Sequence, residues 1–239
     1  MPGNLALAIE SSNPSAGGAG VAIANLGKNS VETLDLEALR ASSRHSDDLM
    51  PAIDRVCARL GVGARDFDLV AVSVGPGGYT GLRIAIVTAQ AIAEISGATC
   101  VGVESDRVVA QRVERAGGPF GVCLASKGAS TFVRIFDPDR RARGAGRLIG
   151  ADDVDALGVE LLVADRFLPE AIRKAAIARD IQLQTPSFDP IALLEVAVGE
   201  PRVGPEQLMP IYPREPDAVT QWRARKGADL TGWTPPNCG

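Results

Sequence analysis

Ser73-Val-Gly-Pro-Gly-Gly-Tyr-Thr-Gly-Leu-Arg83 is the stretch that decides how this chain folds. It stands between an apolar run at 69–74 and a long helical pattern at 82–95. Gly75, Gly77 and Gly78 tolerate backbone angles that a Cβ forbids, and Pro76 fixes its own φ. A strand enters, a tight turn reverses the chain, and a helix leaves. Such a turn presents backbone N–H groups at a helix N-terminus, which suits an anion. It equally lets a second stretch of backbone come close, and both uses stay open here.

Upstream, residues 5–9 are apolar and end at Glu10-Ser11-Ser12. Residues 20–25 and 30–36 read as two more strands, and the short connections imply an antiparallel meander. Residues 45–60 carry Leu49, Ile53, Val56 and Leu60 on one helical stripe. Ser46 reads as the N-cap of this helix, and Gly61 and Gly63 end it. Downstream, 99–103 is a strand. The order is three strands, helix, strand, helix, strand, which resembles the ribonuclease-H-like lobe of actin, sugar kinases and Hsp70. A weaker repeat follows, with strands at 120–124, 131–136 and 160–164 and helices at 168–179 and 190–198. The expected fold is therefore α/β, with two ribonuclease-H-like lobes whose mixed sheets are flanked by helices. The first lobe spans 1–104. The second and smaller spans 105–200, with its last helix free to pack back on the first. Residues 201–239, rich in Pro, Gly and Arg, read as an extended tail.

Composition excludes several classes of function. Lys and Arg number 25 against 29 Asp and Glu, so the net charge is −4 and no basic block offers an autonomous grip on nucleic acid. Arg140, Arg141, Arg143 and Arg147 form a local run that reads either as a solvated connector or as a small share of an RNA surface in a larger complex. No apolar run approaches the roughly 20 residues that cross a bilayer. Residues 1–7 are too short and uncharged for a signal peptide, so a cytoplasmic protein is expected. Cys57, Cys100, Cys123 and Cys238 lack paired C-x-x-C spacing, which makes zinc and a disulfide framework poor readings. The one histidine, His45, cannot supply a metal-binding pair. No G-x-S-x-G elbow and no Walker A lysine is present. No catalytic and no metal residue is assigned.

Two readings of function compete. In one, Glu10, Ser11, Ser12, Gly75, Gly77 and Gly78 form nucleotide or anion loops of an actin-like ATPase or kinase. The other starts from the helix at 80–95, which is apolar nearly all round. Leu82, Ala85, Ile86, Ala89, Ile92 and Ala93 make one stripe, and Ile84, Val87, Ala91 and Ile95 a second. The helix at 45–60 also has a second apolar row, Met50 and Cys57. One sheet covers one face, so the pair is expected to present a protein interface. The residues expected in it are Leu49, Met50, Ile53, Cys57, Arg83, Ile84, Ala85, Val87, Thr88, Ala89, Ala91 and Ile92.

Four motifs, in order, resemble the TsaB family, formerly YeaZ. Gly75-Pro76-Gly77-Gly78-Tyr79-Thr80-Gly81-Leu82-Arg83 is similar to its G-P-G-[S/G]-[F/Y]-T-G-[L/V]-R. Residues 7–12 are similar to its opening strand, which usually ends Asp-Thr-Ser where this chain has Glu10-Ser11-Ser12. His45-Ser46 through Leu49-Met50-Pro51-Ala52-Ile53 resembles its H-S-x-x-L-[L/M]-P-x-I helix. Pro210-Ile211-Tyr212-Pro213-Arg214 resembles its near-terminal P-x-Y-[L/x]-R. From about 105 to 204 the match is one of pattern only, and many relatives carry Asp-Ala-Arg where this chain reads Ala125-Ser126-Lys127.

The resemblance implies a non-catalytic relative of TsaD, the enzyme that transfers threonylcarbamoyl to an adenosine beside the tRNA anticodon. It implies binding to TsaD through the first two helices, an ATPase named TsaE in the same assembly, tRNA met only through that assembly, and a homodimer when the partner is absent. No resident cofactor is implied; weak ATP or ADP binding belongs to the competing reading.

Overall fold

The computed structural model describes residues 4–13, 18–40, 45–114 and 117–215, together with 219 and 222. The first sheet contains β1 (Leu5–Glu10), β2 (Gly20–Leu26), β3 (Val31–Ala38), β4 (Leu69–Gly75) and β5 (Thr99–Glu104), in the order β3-β2-β1-β4-β5. β1–β2 and β2–β3 are antiparallel, whereas β1–β4 and β4–β5 are parallel. The second sheet contains β6 (Phe120–Lys127), β7 (Ser130–Phe136), β8 (Arg147–Ile149), β9 (Leu161–Ala164) and β10 (Gln182–Gln184). Its order, β10-β9-β6-β7-β8, repeats the first sheet strand for strand, with the same parallel and antiparallel pairs. The two-lobed α/β architecture expected from the sequence is present.

β1 shows why the first lobe is layered. Leu7 and Ile9 point into a core under α1 (His45–Leu60) and α2 (Tyr79–Ser96). Ala6 and Ala8 point to the opposite face, and Ala22, Ala24 and Ala71 continue that small-residue surface on β2 and β4. Small side chains let a helix come close, and α5 (Pro190–Ala197) occupies the place, with Ala192, Leu193, Leu194 and Ala197 buried against the sheet. The Asp189 carboxylate accepts from the Ile191 N–H at 2.8 Å and Pro190 opens the helix, so the sequence itself sets its start. α5 therefore follows the second sheet in the chain but packs on the first.

α2 stops at Gly97, whose φ of +73° lets its N–H reach the Ala93 carbonyl at 2.8 Å. The helix at 45–60 begins at His45, which leaves Ser46 inside its first turn and not at its cap; the side chains of residues 45–47 lie outside the described residues. In the second lobe, α3 (Ser105–Gln111) covers one face of the sheet with Phe120, Phe136 and Phe188 between them, and α4 (Glu170–Ile177) covers the other. Beyond α5, residues 203–214 return along the first lobe. Val203 and Cys100 exchange backbone hydrogen bonds at 2.8 Å, and Leu208 is buried in the first-lobe core. A short 3₁₀ turn at Pro205–Gln207 interrupts this segment; beyond Glu215 only residues 219 and 222 are described.

Candidate functional site

The glycine turn is gripped from both sides by backbone. A Cβ on Gly77 would stand 2.2 Å from the Ser12 carbonyl oxygen, and one on Gly75, whose φ is +105°, would stand 2.7 Å from that of Ile211. The Gly78 N–H donates to the Ser12 carbonyl at 2.7 Å, and the Ile211 N–H donates to the Val74 carbonyl at 2.7 Å. Close backbone approach is thus the use to which these glycines are put.

Glu10 is spent in the same place. It is fully buried; its Oε1 accepts from the Ser12 N–H at 2.9 Å and the Ser12 hydroxyl at 2.7 Å, and its Oε2 accepts from the Ser73 hydroxyl. Burial pushes its carboxyl above the usual range, against the three hydrogen bonds that favour the charged form. The structure brings Glu10, Ser11, Ser12, Gly75, Gly77 and Gly78 together, as the nucleotide-loop reading required. It ties the Glu10 carboxylate and the Gly78 N–H to neighbours within the chain, leaving neither directed at a ligand.

Next to this knot a cavity of about 320 Å³ opens between the lobes. Tyr79, Tyr212 and Arg214 line it from one side and Ser126, Lys127 and Phe167 from the other. At its edge the Asn13 side-chain amide donates to Asp165 at 2.9 Å, and the same carboxylate accepts from the Phe167 N–H at 2.9 Å. Tyr79 and Tyr212 stack with ring centroids 5.1 Å apart. The Arg83 guanidinium lies 4.4 Å from the Tyr79 ring centre and its Nε donates to the Tyr212 hydroxyl at 3.2 Å. Asn13, Asp165 and Phe167 carried no sequence signal. Tyr212 and Arg214 did, in the near-terminal motif, but only their place in the fold gives them a task.

The helical face divides in two. Leu82, Ala85, Ile86, Ala89, Ile92 and Ala93 are buried on α2, and so are Leu49, Ile53 and Cys57 on α1. Leu49, Ile53, Cys57, Ala85, Ala89 and Ile92 were expected in a partner interface; the first-lobe core takes them instead, because they lie on the sides of the two helices that meet the sheet and each other. The second stripe behaves differently. Val87 is 61% exposed, Ile95 57% and Met50 56%; Ala91 and Arg83 are exposed, and Ile84 and Thr88 are half-buried. Among the described residues α2 thus turns an apolar row to solvent, and α1 exposes Met50.

Other candidates resolve into structural roles. Arg141 pairs with Asp139 at 3.2 Å, Arg143 with Asp137 at 2.5 Å and Arg147 with Asp153 at 3.6 Å, while Arg140 donates to the Val113 carbonyl at 3.0 Å. Three of the four thus have an Asp partner and the fourth a backbone carbonyl, which favours the connector reading over an RNA surface. Cys57, Cys100 and Cys123 are buried thiols, and desolvation raises all three, Cys100 to about 11 and Cys123 to about 12. Cys238 lies outside the described residues. Among the described residues no three His, Cys, Asp or Glu side chains converge as a metal site would require, and no helix is long and apolar enough to cross a membrane.

Residues 39–194, more than half of the chain, match the family model described as "TsaD: tRNA N6-adenosine threonylcarbamoyltransferase". The chain belongs to the TsaD family. Within that family it is 24% identical over 147 residues to a tRNA N6-adenosine threonylcarbamoyltransferase of Jannaschia sp., a stretch that is 59% of this chain and 40% of that protein. It is 41% identical over 63 residues to the protein of the same name in Anaeromyxobacter dehalogenans, 26% of this chain and 19% of that one. The chain thus spans less than half the length of these curated TsaD relatives. Among solved structures, one from Pseudomonas aeruginosa described as similar to peptidase YeaZ superposes with a TM-score of 0.67 at 20% identity, covering 88% of this chain and all of that one. YeaZ of the same organism gives 0.63 at 20% identity, covering 87% and 99%. The fold of this TsaD-family chain is that of YeaZ, in agreement with the resemblance carried by the glycine turn.

Proposed function

We propose that this chain is a non-catalytic subunit that binds and supports a TsaD-type threonylcarbamoyltransferase during tRNA threonylcarbamoyladenosine modification. The observation that carries the reading, with Met50 also exposed on α1, is the outward row of α2, Val87, Ala91 and Ile95. These side chains lie on a helix that already has a complete inner face. A second apolar face on a surface helix suits a partner helix pair, and the small Ala91 permits close approach. Family membership and the YeaZ-like fold support the reading. A TsaE-type ATPase joins through the complex, tRNA is met only there, the work is done in the cytoplasm, and the same stripe forms a homodimer when the chain is alone. The test is reconstitution: tRNA modification by a TsaD-type enzyme and its other partners, with and without this chain. Modification that depends on the chain supports the reading; equal modification without it refutes it.

A second reading, an autonomous ATPase or kinase, draws on the interlobe cavity and its aromatic and cationic lining. It needs Glu10 to reach a metal or water, and that carboxylate is wholly buried and triply hydrogen-bonded. Weak ATP or ADP binding without turnover is the form of this reading compatible with a subunit. Calorimetric titration with Mg-ATP separates the two, since micromolar binding with turnover requires the enzyme.

A further inference from the structure

We propose that residues 203–214 are a strap joining the two lobes, with Arg214 as its latch on the second. The first-lobe end is anchored at many points. Val203 pairs with Cys100 on the β5 edge, the Gln90 amide donates to the Pro205 and Leu208 carbonyls at 2.9 and 3.2 Å, and Leu208 is buried in the core. Ile211 then bonds to Val74 beside the glycine turn.

Three residues on, the Arg214 guanidinium crosses to the β6–β7 hairpin. Its Nη1 donates to the Ala125 carbonyl, and its Nη2 donates to the Ser130 carbonyl and hydroxyl, both at 2.9 Å. Ala125 holds a φ of +50°, uncommon for a residue with a Cβ, at the irregularity where the β6–β7 register shifts. The hairpin is thus bent where it offers a carbonyl to the guanidinium. Among the described residues Arg214 has no carboxylate partner, so its fork is matched to this hairpin and not to a neighbouring acid. Tyr212, Pro213 and Arg214 also form one wall of the interlobe cavity, so releasing the latch loosens that wall together with the hairpin.

Hydrogen exchange on the full chain tests the inference, and it needs no partner protein. Arg214→Ala should lose about tenfold or more of the exchange protection of the 124–131 hairpin, while α2 and β4 keep theirs. Arg214→Lys, which keeps the charge and lacks the fork, should move the hairpin in the same direction, and it carries the test if the alanine variant does not fold. Hairpin protection that matches the wild type in both variants would overturn the proposal. So would a loss spread evenly over both lobes, because a latch acts on what it holds.

Discussion

A methyl group on Gly77 would sit 2.2 Å from the Ser12 carbonyl oxygen and 3.0 Å from its carbonyl carbon, backbone atoms that cannot swing aside as a side chain could. Gly77→Ala should therefore cost about 2 kcal/mol or more, read as a lower denaturation midpoint, whereas Ala at the open Gly128 position meets only its left-handed φ of +59°. Asp106 makes a second test. It is fully buried, with Arg134 Nε 3.1 Å away but out of line for a hydrogen bond. Burial first, and then the Glu104 charge, hold its carboxyl at about 6 against the pull of Arg134. That lies above the ordinary 3.8, so the folded chain binds an extra proton between the two values. Its contribution is present below about 4 and is lost as pH rises to about 6, by about 3 kcal/mol at most. Asp106→Asn should flatten the stability curve over that window relative to wild type; parallel curves would contradict it. The raised thiols predict that Cys57, Cys100 and Cys123 resist iodoacetamide in the native protein at pH 8 and react on unfolding, as mass spectrometry would show. The glycines and Glu10 were visible in the sequence, but it left open whether they face a ligand or one another. That depends on Ser12 and Ile211, which lie far from the turn in the chain.

At the scale of the element, α2 was legible because it runs for 18 residues with unbroken periodicity, and its two stripes could be counted from the sequence. Which stripe meets the sheet could not be read, since Ala and Ile occupy both. The structure settles it by placing Ala85 and Ala89 against β4 and α1 and turning Val87 and Ala91 outward. A carboxylate at Ala85 would enter the core, so Ala85→Glu should unfold the first lobe. Ala91→Glu should leave circular dichroism and thermal midpoint nearly unchanged, within about 0.5 kcal/mol. Equal damage from both would contradict the assignment of faces. Elements of three residues were beyond reach: β8 and β10 are too short to show a period, and their strand character comes from the neighbours they complete.

Across the whole molecule, two sheets of identical order are joined by more than the chain path. α5 leaves the second lobe to pack on the first, Arg134 of β7 donates to Glu104 of β5 at 2.7 Å, and Asn13 reaches Asp165. Residues 203–214 add the tie at Arg214. Among the described residues, the outer row of α2, with Val87 and Ile95 more than half exposed, is an apolar helical face that the fold does not use internally. Light-scattering mass of the chain mixed with a TsaD-type paralogue, for wild type and for Val87→Glu combined with Ala91→Glu, tests that surface most directly. The wild type should form a stable complex, and the folded double variant should bind at least about 30-fold more weakly, the effect of about 2 kcal/mol at an interface centre. A folded double variant that binds as tightly as wild type, or a wild-type chain that stays monomeric and ignores the partner, would contradict it.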